Sequence, residues 1–262
     1  MNRRVGQGLL NAVLDTRPGG CDVVRLLAGG IALSLGLVIG TQHCAAANSW
    51  GGSVGLTSDY IVRGISRSND HAALQLELHY LNASGFVAGL FASNTQMDPD
   101  QPRNAELDGF VGFTWTAGSD WHGKILASHY AYPWNQGGSR YDYEELALDL
   151  GFQEWLDVAL IYSPDAPRQL HGRGPFGVAS RSAEVNVQRP LLGKLSAAGG
   201  VGYSYFDGPD GTGYAYWSLG AAYDAAPVSL LVSYVKTTAG AKALFYNTAA
   251  DGRWTGTVIW RF

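Results

Sequence analysis

The run RWTGTVIWRF, Arg253 to Phe262, alternates with a period of two. Trp254, Gly256, Val258, Trp260 and Phe262 fall on one face; Arg253, Thr255, Thr257, Ile259 and Arg261 fall on the other. An extended chain with this order has one apolar side and one mostly polar side. Comparable stretches recur upstream. Ala72, Leu74, Leu76, Leu78 and Tyr80 alternate with Gln75, Glu77 and His79, and Ala183, Val185 and Val187 alternate with Ser182, Glu184, Asn186 and Gln188.

The composition sets this chain apart from a water-soluble globule. Charged residues make up 15% of the 262 positions, against about 25% in typical soluble domains. Glycine is abundant at 35, and aromatics reach 12%, with Tyr and Trp together outnumbering Phe. Such rings carry an apolar body and a wet end, which suits a membrane interface.

Residues 1–47 read as a cleaved Sec-type signal peptide. Arg3, Arg4, Arg17 and Arg25 precede the apolar run LLAGGIALSLGLVIG, Leu26 to Gly40, and Ala45 and Ala47 in CAAANS offer an A-x-A cleavage site. The run is shorter than the roughly 20 residues that span a bilayer. Both cysteines, Cys21 and Cys44, fall in this segment, so the mature chain is expected to lack thiol chemistry. Cleavage removes four of 18 basic and two of 22 acidic residues, leaving 14 against 20 and a net charge of −6. Nothing in that balance points to nucleic acid.

Over the mature chain the alternation predicts twelve strands, near 52–64, 72–82, 85–94, 105–116, 121–131, 141–151, 155–163, 180–189, 195–205, 213–223, 228–237 and 253–262. A merger around Ala197 to Gly202 would reduce the count to ten. The connections alternate in length. ISRSNDH, TQMDPDQPRN, YPWNQGGSR, SPDAPRQLHGRGPFGVA, FDGPDGTG and TTAGAKALFYNTAADG are long; NAS, AGSD, FQE, PLLGK and DAAP between them are short. Tight turns on one side and long loops on the other belong to a transmembrane barrel inserted from the periplasm. The fold expected for residues 48–262 is therefore an all-β, antiparallel transmembrane β-barrel, one domain of about 12 strands. Its first and last strands pair, because an open sheet edge cannot face lipid.

Aromatic residues gather near strand ends and predict two girdles. Trp50, Trp115, Trp121, Trp155, Tyr223, Trp260 and Phe262 lie toward the short turns, and Tyr60, Tyr130, Tyr132, Tyr141, Tyr162, Tyr205 and Tyr214 toward the long loops. Trp260 and the terminal Phe262, with apolar residues at every second position upstream, also resemble the signal that barrel-assembly machinery recognises. The partners implied are outer-membrane lipid, that machinery and periplasmic chaperones.

In the first predicted strand, LTSDYIVRGIS, Leu56 to Ser66, resembles the hallmark of the TorF-type porins of proteobacteria, a T-S-D-Y-x-x-R-G-x-S run matched by Thr57, Ser58, Asp59, Tyr60, Arg63, Gly64 and Ser66. SGFVAGLFASN, Ser84 to Asn94, and YDYEELALDLGF, Tyr141 to Phe152, are similar to further blocks of that family. The resemblance implies an outer-membrane barrel, with no catalytic residues and no cofactor to carry over.

Asp59 and Arg63, placed four apart on the first strand, are expected on one lumen face, either as opposed charges at a constriction or as ties to neighbouring strands. By strand phase, Glu77, His79, Glu106, Asp108, Arg181, Glu184, Arg253 and Arg261 are further pore-lining candidates, and Glu106 and Asp108 need cations nearby. Ser128 and His129 are adjacent and so point to opposite faces, which defeats a nucleophile–base pair. His71, His122 and His171 read as loop or surface residues without metal spacing. PDGTG and DPDQP read as turns. GRGPFG in the longest loop is a candidate to fold inward. The function these readings imply is passive diffusion of small hydrophilic solutes or ions across the bacterial outer membrane. The rivals are a non-conducting structural barrel and an outer-membrane lipid hydrolase.

Overall fold

A computed structural model describes residues 48–97, 102–134, 141–170, 173–208, 211–245 and 248–262. The predicted signal peptide, His171 and most of DPDQP lie outside the described residues. Twelve strands form the wall: β1 (Ser49–Thr57), β4 (Ala73–Leu81), β5 (Phe86–Thr95), β6 (Asn104–Ala117), β7 (Trp121–Ala131), β8 (Tyr143–Phe152), β9 (Leu156–Leu170), β10 (Arg173–Leu192), β11 (Leu195–Phe206), β12 (Thr212–Ala225), β13 (Val228–Thr237) and β14 (Arg253–Arg261). Two short strands, β2 (Ile61–Val62) and β3 (Ile65–Ser66), form a separate hairpin.

Each wall strand pairs antiparallel with its sequence neighbour, and β1 pairs with both β4 and β14, so the barrel is closed. At the seam Ser53 faces Arg261 and Thr57 faces Thr257, and Gly52 and Phe262 exchange backbone hydrogen bonds of 3.0 and 3.1 Å. Closure gives every wall strand a partner on both sides, the condition for a sheet in hydrocarbon, where an unpaired N–H or C=O costs several kcal/mol. Leu195–Phe206 is a single strand paired along its length with β10 and β12, which settles the count at twelve.

The alternation in sequence becomes inside and outside. Leu74, Leu76 and Leu78 of β4 are exposed, while Glu77 and His79 between them are buried. Val185, Leu219, Val232 and Val258 face out on their strands, and Ser182, Glu184, Ser218, Ser233, Thr255 and Thr257 face in. A continuous outward aliphatic surface on a closed sheet makes this a transmembrane barrel. At the short-turn end the outward rings cluster as Trp50 with Tyr80, Trp121 with Phe152 and Trp260 with Phe262, their centroids 5.2, 4.8 and 5.1 Å apart.

Several expectations fail, each for a physical reason. The first wall strand stops at Thr57, and the chain then turns into the barrel, so Asp59 and Arg63 do not share a strand face. The longest predicted loop is largely strand: β9 and β10 continue to pair past Tyr162 and Arg181, through Ala166 with Val178, as a ribbon beyond the wall. Of the predicted long-loop girdle, Tyr60, Tyr130, Tyr132, Tyr141 and Tyr214 are buried inside rather than facing lipid. Instead, Trp217, Tyr234 and Trp254 pack at tilted angles across β12, β13 and β14 toward that end. Arg181 shares the phase of Val185, not of Glu184; it is 64% exposed by side chain and pairs with Asp207 at 2.7 Å outside the lumen.

Candidate functional site

The block Thr57 to Ser66 builds a hairpin that crosses the barrel interior. Its turn is Arg63-Gly64, with φ of 49° and 78°. Positive φ at both central residues is the type I′ pattern, whose twist suits a two-residue hairpin. A Cβ on Gly64 would meet Thr237 Cγ2 at 2.6 Å and Tyr216 Cβ at 2.8 Å. The turn therefore lies against β12 and β13, and glycine is required there for space as well as backbone conformation.

Asp59 organises the base of the hairpin. Its Oδ1 accepts from Ser66 Oγ at 2.6 Å and Ser68 Oγ at 2.8 Å, and its Oδ2 accepts from Arg253 Nη1 of β14 at 2.7 Å. Arg253 also donates to Asp70. At the tip, Arg63 makes a two-pronged bond to Glu145 of β8, Nη1 and Nη2 reaching Oε1 and Oε2 at 2.6 and 2.7 Å, and its Nε lies 3.9 Å from Glu184 of β10. Fork-to-carboxylate pairing of this kind fixes geometry as well as charge. Burial opposes the Arg63 charge, but Glu145 outweighs it and holds the guanidinium well above its ordinary range. Glu184 also accepts from Tyr216 Oη at 2.7 Å.

On the returning arm, Arg67 donates to Tyr132 Oη at 2.6 Å and Tyr143 Oη at 3.1 Å and lies 3.7 Å from Glu106. Glu106, 0% exposed, accepts from Tyr60 Oη at 2.5 Å and from Tyr132 Oη. Burial first, then Glu106, pushes the Tyr60 phenol well above its ordinary range. Tyr130 and Tyr143 stack with rings 4.3 Å apart and parallel within 1°. On the other side of the hairpin, Ile61 and Ile65 pack into an apolar cluster with Tyr216, Phe206 and Val235, together with Ala241 and Leu244 of α1 (Gly240–Leu244), in the β13–β14 connection.

Toward the short-turn end, Val87, Phe110 and Leu126 form an inward apolar cluster. A pocket lies beside the hairpin, lined by Arg63, Asp108, Lys124, Ser128, Glu145 and Asp149 among others. Lys124 faces Asp149 at 3.6 Å. Glu77, His79 and Ser53 form a small group: His79 Nδ1 is 2.6 Å from Glu77 Oε1, and Ser53 donates to Oε2 at 3.5 Å. The carboxylate sits in the middle, whereas a nucleophile–base relay needs the imidazole there. His129 points outward to Glu144 at 3.1 Å, apart from the inward Ser128. His122 lies on β7, not in a loop, 3.5 Å from Asp157. Arg261 donates to Ser229 at 2.6 Å. Among the described residues, no three His, Cys, Asp or Glu side chains converge to hold a metal ion.

Asp59, Arg63, Glu77, His79, Glu106, Asp108, Glu184 and Arg253 are thus all inside the barrel, and Trp260 and Phe262 are outside on its lower rim. The structure joins Asp59 to Arg253 and Arg63 to Glu184, and it sets Glu106 and Asp108 side by side on the inward face of β6, Glu106 engaged by Tyr60 and Tyr132 and Asp108 without a donor among the described residues. The readings from sequence missed Arg67, Glu145, Tyr216 and Ser53. Glu145 carried a usable signal, the inward phase it shares with Tyr143; the others depend on the unforeseen hairpin or on pairing between strands.

These features define a class: a twelve-stranded transmembrane barrel whose lumen is crossed by a salt-bridged hairpin. The chain belongs to a bacterial protein family of unknown function, Gcw_chp, whose model matches residues 41–261. No curated protein matches it significantly. Among solved structures it is similar to the KdgM porin, one structure of which is in complex with disordered oligogalacturonate (13% identity over 82% of this chain and 99% of that one, TM-score 0.46). It is also similar to the NanC porin (11% identity, 80% and 98% coverage, TM-score 0.48) and to the outer membrane protein Omp33 of Acinetobacter baumannii (10%, 81% and 98%, TM-score 0.42).

Proposed function

We propose that the protein is an outer-membrane diffusion channel for small hydrophilic solutes or ions, its bore set by the inward hairpin. One observation carries this reading. Beside its apolar clusters the lumen presents carboxylates, guanidinium groups and hydroxyls, charges of both signs, with a pocket opening among them, while the outer surface is aliphatic. Rings and pairs of charge inside a pore select and orient solutes. Within the Gcw_chp family, the narrower assignment is to the TorF-type porins, since the residues of the T-S-D-Y-x-x-R-G-x-S run form the crossing hairpin. The mature chain follows a cleaved signal peptide, and Trp260 and Phe262 are read by the assembly machinery.

Purified protein in planar bilayers tests the proposal. Discrete conductance steps support it, and a folded barrel that never conducts across replicate insertions overturns it. The second reading, a barrel closed at rest, is favoured by the apolar cluster that Ile61 and Ile65 form with Leu244 and Tyr216. It predicts no steps until the hairpin is released.

A further inference from the structure

Among the described residues, Asp108 is the charged side chain of the lumen pocket left without a hydrogen-bonded partner. It is 4% exposed, and neither carboxylate oxygen has a hydrogen-bond donor. Its neighbours on the same face differ: Glu106, two residues up the strand, is satisfied by Tyr60, Tyr132 and Arg67. The pocket's two cations are also committed, Arg63 to Glu145 and Lys124 to Asp149. Against Arg63 and Lys124 stand Asp108, Glu145 and Asp149, so the pocket lining holds one carboxylate more than it has cations. A buried carboxylate without partners must be neutralised, by a proton or by a bound cation.

We propose that this pocket is a binding subsite for a singly charged cation, an alkali ion or a primary ammonium, held by Asp108 with Ser128 Oγ at its edge. The pocket is one cation short of its carboxylates, and the two Asp108 oxygens have no hydrogen-bond donor to compete with an ion that fills that place. A divalent chelate would need the several oxygen ligands that calcium or magnesium demands, and the other carboxylates here are already paired with arginine or lysine. The proposal gives the diffusion channel a cation-preferring station and rests on that reading for its physiological meaning; binding itself does not require conduction.

The experiment uses the whole mature barrel folded in detergent. Thermal midpoints are measured in potassium chloride, in ethylammonium chloride and in N-methyl-D-glucamine chloride at one ionic strength. A ligand that binds only the folded state raises the midpoint with its concentration. A saturable rise of a few degrees in potassium or ethylammonium over N-methyl-D-glucamine is expected for wild type, and whichever ion produces it identifies the ligand. Asp108→Asn should abolish that difference while raising the midpoint in N-methyl-D-glucamine, because the buried carboxylate without a donor is gone. Absence of the rise in wild type, or its persistence in Asp108→Asn, overturns the site. Should Asp108→Asn not fold, the wild-type ion series decides alone. In bilayers under a potassium chloride gradient, Asp108→Asn should shift the reversal potential away from cation preference. A wild-type barrel that shows the thermal rise but never conducts leaves the subsite standing and removes the channel.

Discussion

At the residue scale, the hairpin is held by a few buried ion pairs whose loss is asymmetric. Among the described residues, Glu145→Gln leaves the buried Arg63 with Glu184, 3.9 Å from its Nε, as its remaining ion-pair partner. Stranding one partner of a buried pair costs about 3 kcal/mol or more, whereas replacing both by apolar residues is close to neutral. Glu145→Gln should therefore lower the thermal midpoint and raise open-channel noise, and Arg63→Met with Glu145→Leu should recover most of the stability. The same contacts give an alkaline limit. Tyr60 and Tyr132, both outside the wall strands, donate to Glu106, and burial with that carboxylate raises both phenols well above their ordinary value. For a group whose folded pKa is raised, the stabilisation is fully present below the unfolded value, near 10 for tyrosine, and is lost as pH rises through the folded value. A midpoint that is flat with pH through the neutral range and falls beyond about pH 10 is expected, with a shallower fall in Tyr60→Phe.

At the element scale, the wall was legible and the hairpin was not. Period-2 alternation located all twelve wall strands, because the boundary between lipid and lumen imposes one side-chain type on each face of every strand. Ends were read less well where the cause is not local. YIVRG continues a β-branched, strand-like run, yet its partners are Glu145 and Glu184, remote in sequence, and nothing in the local pattern shows that the strand leaves the wall after Thr57. The inward tyrosines were misplaced for the same reason, since a ring that seeks an interface and a ring that seeks Glu106 look alike in sequence. Asp59, Glu106 and Glu184 were legible as interior residues but not as anchors of a hairpin. Because β2 and β3 pair only with each other, the hairpin is separable from the wall. Replacing Tyr60 to Ser68 with a Gly/Ser linker should leave heat-modifiable gel mobility intact and raise single-channel conductance several-fold. An unfolded product would show instead that the wall depends on the crossing.

Taken whole, the molecule is a ring with an aliphatic outer surface, and its insertion depends on that surface. Leu219, mid-strand on β12 and 62% exposed, is expected to face the bilayer core. Leu219→Arg should cost about 2–4 kcal/mol of membrane stability, read as a lower denaturant midpoint for folding into vesicles; Ser218→Thr on the inner face of the same strand should change it little. The bond between Asp59 and Arg253 spans 194 positions of sequence and straddles the place where first and last strands meet. Without β14 in place, Asp59 lacks the Arg253 guanidinium, and the base of the crossing segment is left to Ser66 and Ser68. Closing the circle and fastening the foot of the crossing segment are thereby one event, since the strand that completes the ring also carries the guanidinium that clasps it.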